Sequence, residues 1–419
     1  MQPTTEALAD YCLAAILRCH RSPQGGGWAS VTPRVDEADR EELLLRWALS
    51  ADLKRLATAA VGEPRRIRSA VAFETQMYSG SIPGAVDAHA TLMAQELSGD
   101  STLFVVNEPS ISPLTRRNHV LAWVLREASL LIASAIRRHR FKAELAWIHD
   151  RAVLFEQATR LPLIREVMAS PMGRRRPGAA EVRDAGNSMS PMYQRAALAM
   201  TSFEAVERLS PAALRALLSD TLIARLEDWQ RLELAAALGA ADALAAVTGE
   251  KVHWKGSITG GTLIAKVGSF SIHWQNTLPK RSAAQLDPSE DMAINAVEAL
   301  DARLGPARAD ISVRVDGGTR DVAHLECKWF ASSSSASSAI SGAVTQLVRY
   351  CRDSRPSSLA DAALLLKDSF VVCSHLWGYG PSIDGSKPVG LTDYAGMISG
   401  SLADWAARLS AREPRTFAA

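Results

Sequence analysis

Residues 309–350 constrain the fold more than any other part of this chain. Ile311, Val313 and Val315 alternate with Asp310, Ser312 and Arg314, the period-two pattern of a half-buried strand. Residues 322–330 alternate again, with Ala323, Leu325, Cys327 and Trp329 at odd positions and His324, Glu326 and Lys328 at even ones. Asp316-Gly317-Gly318 between the runs supplies turn chemistry, so the two strands read as a β-hairpin. Opposed residues of an antiparallel pair share a face, and a slip of one residue would turn one strand inside out. Even positions therefore pair with even ones. Asp310 comes to lie opposite Glu326 or, one step away, opposite Lys328. Either register gathers two carboxylates and one ammonium on a single face.

Two carboxylates beside a lysine suit a hard divalent cation, Mg²⁺ or Mn²⁺ rather than Zn²⁺. Asp310 and Glu326 are the expected metal ligands, and water on such a cation becomes a nucleophile. Lys328 is placed to steer that water and to offset charge in the transition state. The blander reading of the same pattern is a solvated salt-bridge ladder on an exposed hairpin.

The following segment bears on that choice. Residues 332–338 are a small-residue loop ending in good N-cap chemistry. After it Ile340, Ala343, Val344, Leu347, Val348 and Cys351 recur at helical spacing, and Gln346 and Tyr350, four apart, share a face beside that stripe. With this helix the stretch resembles the PD-(D/E)XK nuclease superfamily, in its RecB-like and restriction-endonuclease-like members, over roughly residues 251–375. The resemblance implies that Asp310 is the first metal carboxylate and that Glu326 and Lys328 are the E-x-K pair. It implies that Gln346 and Tyr350 back the site and meet the DNA backbone. Ala309 stands where the family name has proline. Upstream, Asp287-Pro288-Ser289-Glu290 reads as a helix start, with Asp287 as cap and Glu290 as capping partner. Ile294, Val297 and Leu300 form that helix's stripe and Gly305-Pro306 ends it. The resemblance often places an extra carboxylate on such a helix, and Glu298 is the candidate.

Elsewhere the chain reads as a globular protein of two or three domains: 419 residues, 47% apolar and 22% charged. A net charge of +2 is too small to point at nucleic acid or at membrane. Five cysteines with no CxxC spacing argue against a structural zinc site and for a reducing cytoplasm. The polar start lacks the basic region of a secretory signal. Residues 120–136, interrupted by Arg126 and Glu127, read as too short to span a bilayer. The expected location is therefore cytoplasmic, without a membrane partner.

Helical periodicity covers residues 4–20, 36–60, 113–139, 142–170 and 202–247, with strand signals at 69–78 and 103–106. Residues 1–248 thus read as a mainly α-helical N-terminal region. Gly249 marks a change of texture: residues 252–258 and 263–267 flank Gly260-Gly261, and 269–274 alternate. Residues 370–374 fit a central strand and 391–409 a closing helix. Residues 249–419 are expected to form an α/β restriction-endonuclease-like core on a mixed central sheet. Trp254 and Trp274 read as packing residues of that sheet, and His324 as a structural histidine on the catalytic face.

The order GAVDAHATL, GDSTLFVV and RRNHVLAWVLREA is similar to the N-terminal half of restriction-associated proteins of the McrC kind. Asn118 in it reads as a helix-start residue. Arg174, Arg175 and Arg176, and the cluster Arg137, Arg138, His139, Arg140 and Lys142, either contact phosphates or are solvated loop and helix-end cations.

The function expected from the resemblance is a Mg²⁺-dependent deoxyribonuclease, endonuclease rather than exonuclease, serving restriction or anti-phage defence. No GxxxxGK[ST] motif occurs, so a nucleotide-driven motor would be a separate partner subunit. A homodimer stays open. The alternative is a non-cleaving nucleic-acid-binding or scaffold subunit that retains the nuclease fold. No nucleophile elbow, GxGxxG or HExxH favours an unrelated enzyme.

Overall fold

A computed structural model describes residues 2–19, 37–138, 147–255, 262–278, 307–315, 320–330, 332–354, 356 and 358–411. The chain forms two compact units, Leu43–Ser210 and a second made of Met1–Glu42 with Pro211–Ala419. Helix α1 (Thr5–Cys19) opens the discontinuous unit and buries Leu8, Cys12, Leu13 and Ile16.

The inserted unit begins within α2 (Glu37–Leu49), which is followed by α3 (Ala51–Gly62). One continuous helix is expected here, but Ser50 breaks it by turning its side chain onto the Leu53 amide as an N-cap. β1 (Ala70–Ser79), β2 (Ala85–Val86), α4 (Ala88–Ser98) and β3 (Leu103–Ser112) come next. β3 pairs antiparallel with both β1 and β2 in a three-stranded sheet. α5 (Arg116–Arg138) is the core helix, with Val120, Leu121, Val124, Leu125, Ala128 and Ile132 all buried. Contrary to the sequence expectation, its 23 residues are long and apolar enough to cross a membrane, by length and composition only. More than half of its apolar window is buried within the protein, as in the core helix of a globular unit.

Residues 142–170, expected as one helical stretch, contain α6 (Trp147–Thr159) and α7 (Pro162–Ala169), separated before Pro162. α8 (Pro171–Arg174), α9 (Ala179–Gly186) and α10 (Pro191–Glu207) complete the unit. Asn118 does more than start a helix. Its side-chain amide donates to the Arg68 and Pro113 carbonyls, and its Oδ1 accepts the Tyr193 hydroxyl at 2.6 Å. Arg175 forms a two-pronged pair with Glu181, and Arg176 pairs with Glu207 and lies over Trp123 and Phe203. Both guanidiniums are ion-paired within the unit.

The second unit continues with α11 (Pro211–Thr221) and α12 (Asp228–Thr248). Then come β4 (Val252–Trp254), β5 (Leu263–Val267), β6 (Phe270–Thr277), β7 (Arg308–Val315) and β8 (Arg320–Lys328). α13 (Ala336–Asp353), α14 (Leu359–Asp368), β9 (Phe370–Cys373), β10 (Gly390–Asp393), α15 (Tyr394–Ile398) and α16 (Ala403–Ala411) close the chain. The strands make one mixed sheet in the order β10-β9-β8-β7-β6-β5-β4. β8, β9 and β10 run parallel to one another, and β4 through β8 are antiparallel. α12 packs across β4–β8, and α13 packs on β7, β8 and β9. The architecture is α/β, as expected. By contacts the alanine-rich α12, before Gly249, is a layer of the sheet unit, which takes up the chain again at Pro211. The single closing helix is replaced by β10, α15 and α16, and α14 was not foreseen. Residues Asp287, Glu290, Glu298, Gly305 and Pro306, the turns at Gly260-Gly261 and Asp316-Gly317-Gly318, and His139, Arg140 and Lys142 lie outside the described residues.

Candidate active site

The β7–β8 ladder runs from Val315↔Arg320 to Ile311↔Leu325. A bulge interrupts it, since Val313 faces Ala323 while Arg314 faces Asp321, leaving Val322 as the extra residue. Beyond Ile311↔Leu325, one more step of this register sets Asp310 across from Glu326 rather than Lys328. The ladder itself stops there. Asp310 Oδ2 accepts the Cys327 amide at 2.8 Å, so a side chain takes the place of a backbone rung. β7 stays with β6, where Ala309 pairs with Asn276. β8 stays with β9, where Lys328 pairs with Cys373. The two central strands part, and the carboxylates of Asp310 and Glu326 lie at the fork.

α13 closes one side of this fork. The Lys328 ammonium donates to Glu326 Oε1 and to Gln346 Oε1, each at 2.6 Å. Tyr350, one turn on from Gln346, is buried and acts electrostatically on Glu326 and Asp310. Asp310, Glu326, Lys328, Gln346 and Tyr350 are therefore brought together. Glu326 is 1% exposed, and its Oε2 is buried with no hydrogen-bond partner. Burial, then the charge of Asp310, raises the Glu326 carboxyl to about 7, against the pull of Lys328 and Tyr350. Burial, then the charge of Glu233, raises Asp310 to about 7, against the Cys327 amide and Lys328. Burial, followed by Glu326 and Asp310, raises the Tyr350 phenol, which stays protonated at neutral pH.

No family model matches this chain, and no curated protein matches it. Among solved structures it is similar to a chain in the refined half-complex from the tetradecameric assembly of Thermococcus gammatolerans McrB AAA+ hexamers with bound McrC. The TM-score is 0.23 at 10% identity, covering 98% of this chain and 78% of that one. At that TM-score the likeness carries no argument about the site.

Sequence reasoning missed Glu233. It lies on α12, is 3% exposed, and accepts Trp274 Nε1 at 2.7 Å and Gln275 Nε2 at 3.1 Å on one oxygen. Neighbouring strand residues normally point to opposite faces. Gln275, across from Asp310 by register, has φ +51°, and this left-handed kink is where two successive side chains reach the same carboxylate. Trp274 is thus a packing residue that also holds an acid. Burial raises the Glu233 carboxyl, while Gln275 and Trp274 hold it down. One signal was legible: Glu233 is a lone acid in the apolar run from Leu232 to Leu238, and buried acids need partners.

His324 is fully buried, which lowers its imidazole to about 4 and keeps it neutral. It bonds Ser312 Oγ at 3.0 Å and Ser354 Oγ at 2.7 Å, as a structural histidine does.

The residues fit a divalent cation on two counts. The Glu326 Oε2 atom is an orphaned buried acceptor. When ionised, Asp310, Glu326 and Glu233 carry three negative charges, against the Lys328 ammonium bonded to Glu326 and the Arg308 guanidinium that acts on Glu233. Among the described residues no three His, Cys, Asp or Glu side chains are grouped closely enough to hold a metal alone. Mg²⁺ does not require that, since one or two carboxylates and several waters suffice.

Proposed function

We propose that this protein is a metal-dependent nuclease that hydrolyses DNA phosphodiester bonds. The observation that carries the reading is the orphaned, buried Glu326 Oε2 beside Asp310, with Lys328 on the other oxygen. Asp310 and Glu326 would hold Mg²⁺ or Mn²⁺. When bound, such a cation supplies Lewis-acid polarisation of a phosphate and acidification of water. Lys328, fixed between Glu326 and Gln346, presents its remaining ammonium hydrogen to the attacking water or to the phosphate oxygen gaining charge. Gln346 spends its carbonyl oxygen on that ammonium and keeps two amide hydrogens for the DNA backbone. Tyr350, held protonated, supports Glu326. Glu233 adds to the local negative charge that a cation would offset.

Endonucleolytic cleavage, a restriction or defence role and a separate motor subunit belong to the same proposal. They rest on the motif resemblance and on the lack of a nucleotide-binding loop in this chain. The test is nicking of supercoiled plasmid with Mg²⁺ and with EDTA, by wild type, Asp310→Ala and Lys328→Ala. Cleavage by wild type alone, and only with metal, is expected. Equal activity in all three proteins would refute the site, and intact plasmid throughout would favour the non-cleaving alternative.

A further inference from the structure

We infer that His324 is a positioning residue that sets Tyr350 and the end of α13 against the carboxylate fork, through one directed hydrogen-bond chain from β6. The inference rests on the proposed nuclease reading for its kinetic consequence, but not for its structural one.

The chain can be followed proton by proton. The Ser354 hydroxyl donates to the Tyr350 carbonyl at 3.0 Å. With the Ser354 hydroxyl on that carbonyl, His324 Nε2 is the donor at the 2.7 Å contact and Ser354 Oγ the acceptor. The neutral ring then has a bare Nδ1, which accepts the Ser312 hydroxyl at 3.0 Å. Ser312 Oγ in turn accepts from Asn276 Nδ2 at 3.3 Å. The series joins β6, β7, β8 and Ser354, the residue that caps α13. The ring of His324 also meets that of Tyr350 edge-on, with centroids 6.0 Å apart. The backbone of His324 is pinned as well, its amide donating to Ser369 Oγ at 2.9 Å.

The consequence for the site follows from spacing. His324 and Glu326 are two apart on β8, so they share a face. Ser354 caps α13 four residues after Tyr350, and its backbone amide and hydroxyl both bond the Tyr350 carbonyl, so the two lie on one side of the helix end. A bolt between 324 and 354 therefore fixes the distance between 326 and 350 one step along. Without it, α13 keeps apolar packing from Ala343 and Leu347 and the Lys328–Gln346 bond one turn before Tyr350, but no directed bond at its C-terminal end to His324. Apolar packing tolerates sliding that a directed hydrogen bond does not. A displacement of about 1 Å at a catalytic group costs on the order of 100-fold in rate.

The test compares His324→Leu, His324→Gln and Ser354→Ala in the full chain. The readouts are hydrogen exchange over residues 346–354 and steady-state cleavage with Mg²⁺. Leucine removes both ring bonds, and alanine removes the last link while leaving the histidine. Glutamine can still present an N–H to Ser354. Expected are faster exchange and a kcat lower by about 10- to 100-fold at unchanged KM in His324→Leu and Ser354→Ala, with glutamine restoring both at least in part. A residue that only stabilises the fold would not give this split between kcat and KM. If His324→Leu fails to fold, Ser354→Ala decides. Wild-type exchange in both breaking variants, or a glutamine variant no better than leucine, overturns the inference. A wild type that never cleaves refutes the proposed function, and the exchange readout then judges His324 alone.

Discussion

Glu326→Gln should stabilise the metal-free protein while abolishing its response to metal. The substitution keeps the side-chain shape and an oxygen for Lys328, but removes a charge that is 1% exposed. Burial, then Asp310, lifts this carboxyl from 4.5 to about 7. Between those values the folded state binds more protons than the unfolded chain, so wild-type stability falls as pH rises through the window. A shift of that size corresponds to about 3 kcal/mol. At pH 8 the glutamine variant should therefore be more stable than wild type by about 2–3 kcal/mol, and at pH 5 by much less. The assay is urea unfolding at both pH values, followed by hydrogen exchange of β8 so that only the sheet unit is read. Adding Mg²⁺ at pH 8 should raise wild-type stability by about 2.7 kcal/mol at one hundred times its dissociation constant, and leave the variant unmoved. A variant less stable than wild type at pH 8 without metal would refute the reasoning. The fork would then be an ordinary, satisfied ion pair.

The remaining predictions fall on both units. Gln346→Ala removes one acceptor of the Lys328 ammonium at an exposed helix position, so KM for DNA should rise with little change in unfolding midpoint; a lost midpoint with unchanged KM would make Gln346 a folding residue. Tyr193→Phe strands Asn118 Oδ1 and the Arg68 amide, both bonded to the lost hydroxyl, and should cost about 1–3 kcal/mol. Exchange in the inserted unit reads it, and a neutral result would show that the pocket relaxes around the gap. Glu181 gives the opposite pH slope to Glu326. Burial would raise it, but Arg175, the Gly178 amide and His119 hold it down at about 2. That stability is present above the ordinary carboxyl range and is lost as pH falls from about 4.5 towards 2. Glu181→Gln should cost about 1–2 kcal/mol at pH 7, after discounting for the solvent around Arg175, and should flatten the acid limb of the unfolding curve; an unchanged limb would sink the assignment.

The hairpin and the α13 motif were legible because period-two and helical spacings are local. The two registers offered for Asp310 differed by two residues, and extending the β7–β8 register one residue past its last pair sets Asp310 across from Glu326. What sequence could not display is the fork, because strand parting depends on β6 and β9, which hold β7 and β8 apart from outside. The bulge at Val322 was hidden for a related reason: alternation of apolar residues survives on either side of one inserted residue. The grouping of α12 with the sheet was not legible, because α12 is amphipathic like its predecessors and nothing local says which layer a helix will cover. Ser50 and Pro162 broke two expected helices, and both are cap or breaker residues that outweigh a continuing apolar stripe.

Glu233 shows how such gaps bear on the chemistry. The family resemblance pointed to an extra acid on the helix before the hairpin, and the candidate, Glu298 beside that helix's stripe, lies outside the described residues. The described fold puts an acid at the fork from α12, far earlier in sequence, through the kink at Gln275. Two residues that should alternate both bond one carboxylate, and a left-handed backbone at a non-glycine costs on the order of 1 kcal/mol or more to maintain. Strain of that kind persists only where its surroundings enforce it. Here it lies across from Asp310, whose carboxyl Glu233 pushes upward after burial itself. The kink therefore binds the electrostatics of the fork to the packing of α12, so a change in that helix would reach Asp310 without touching it.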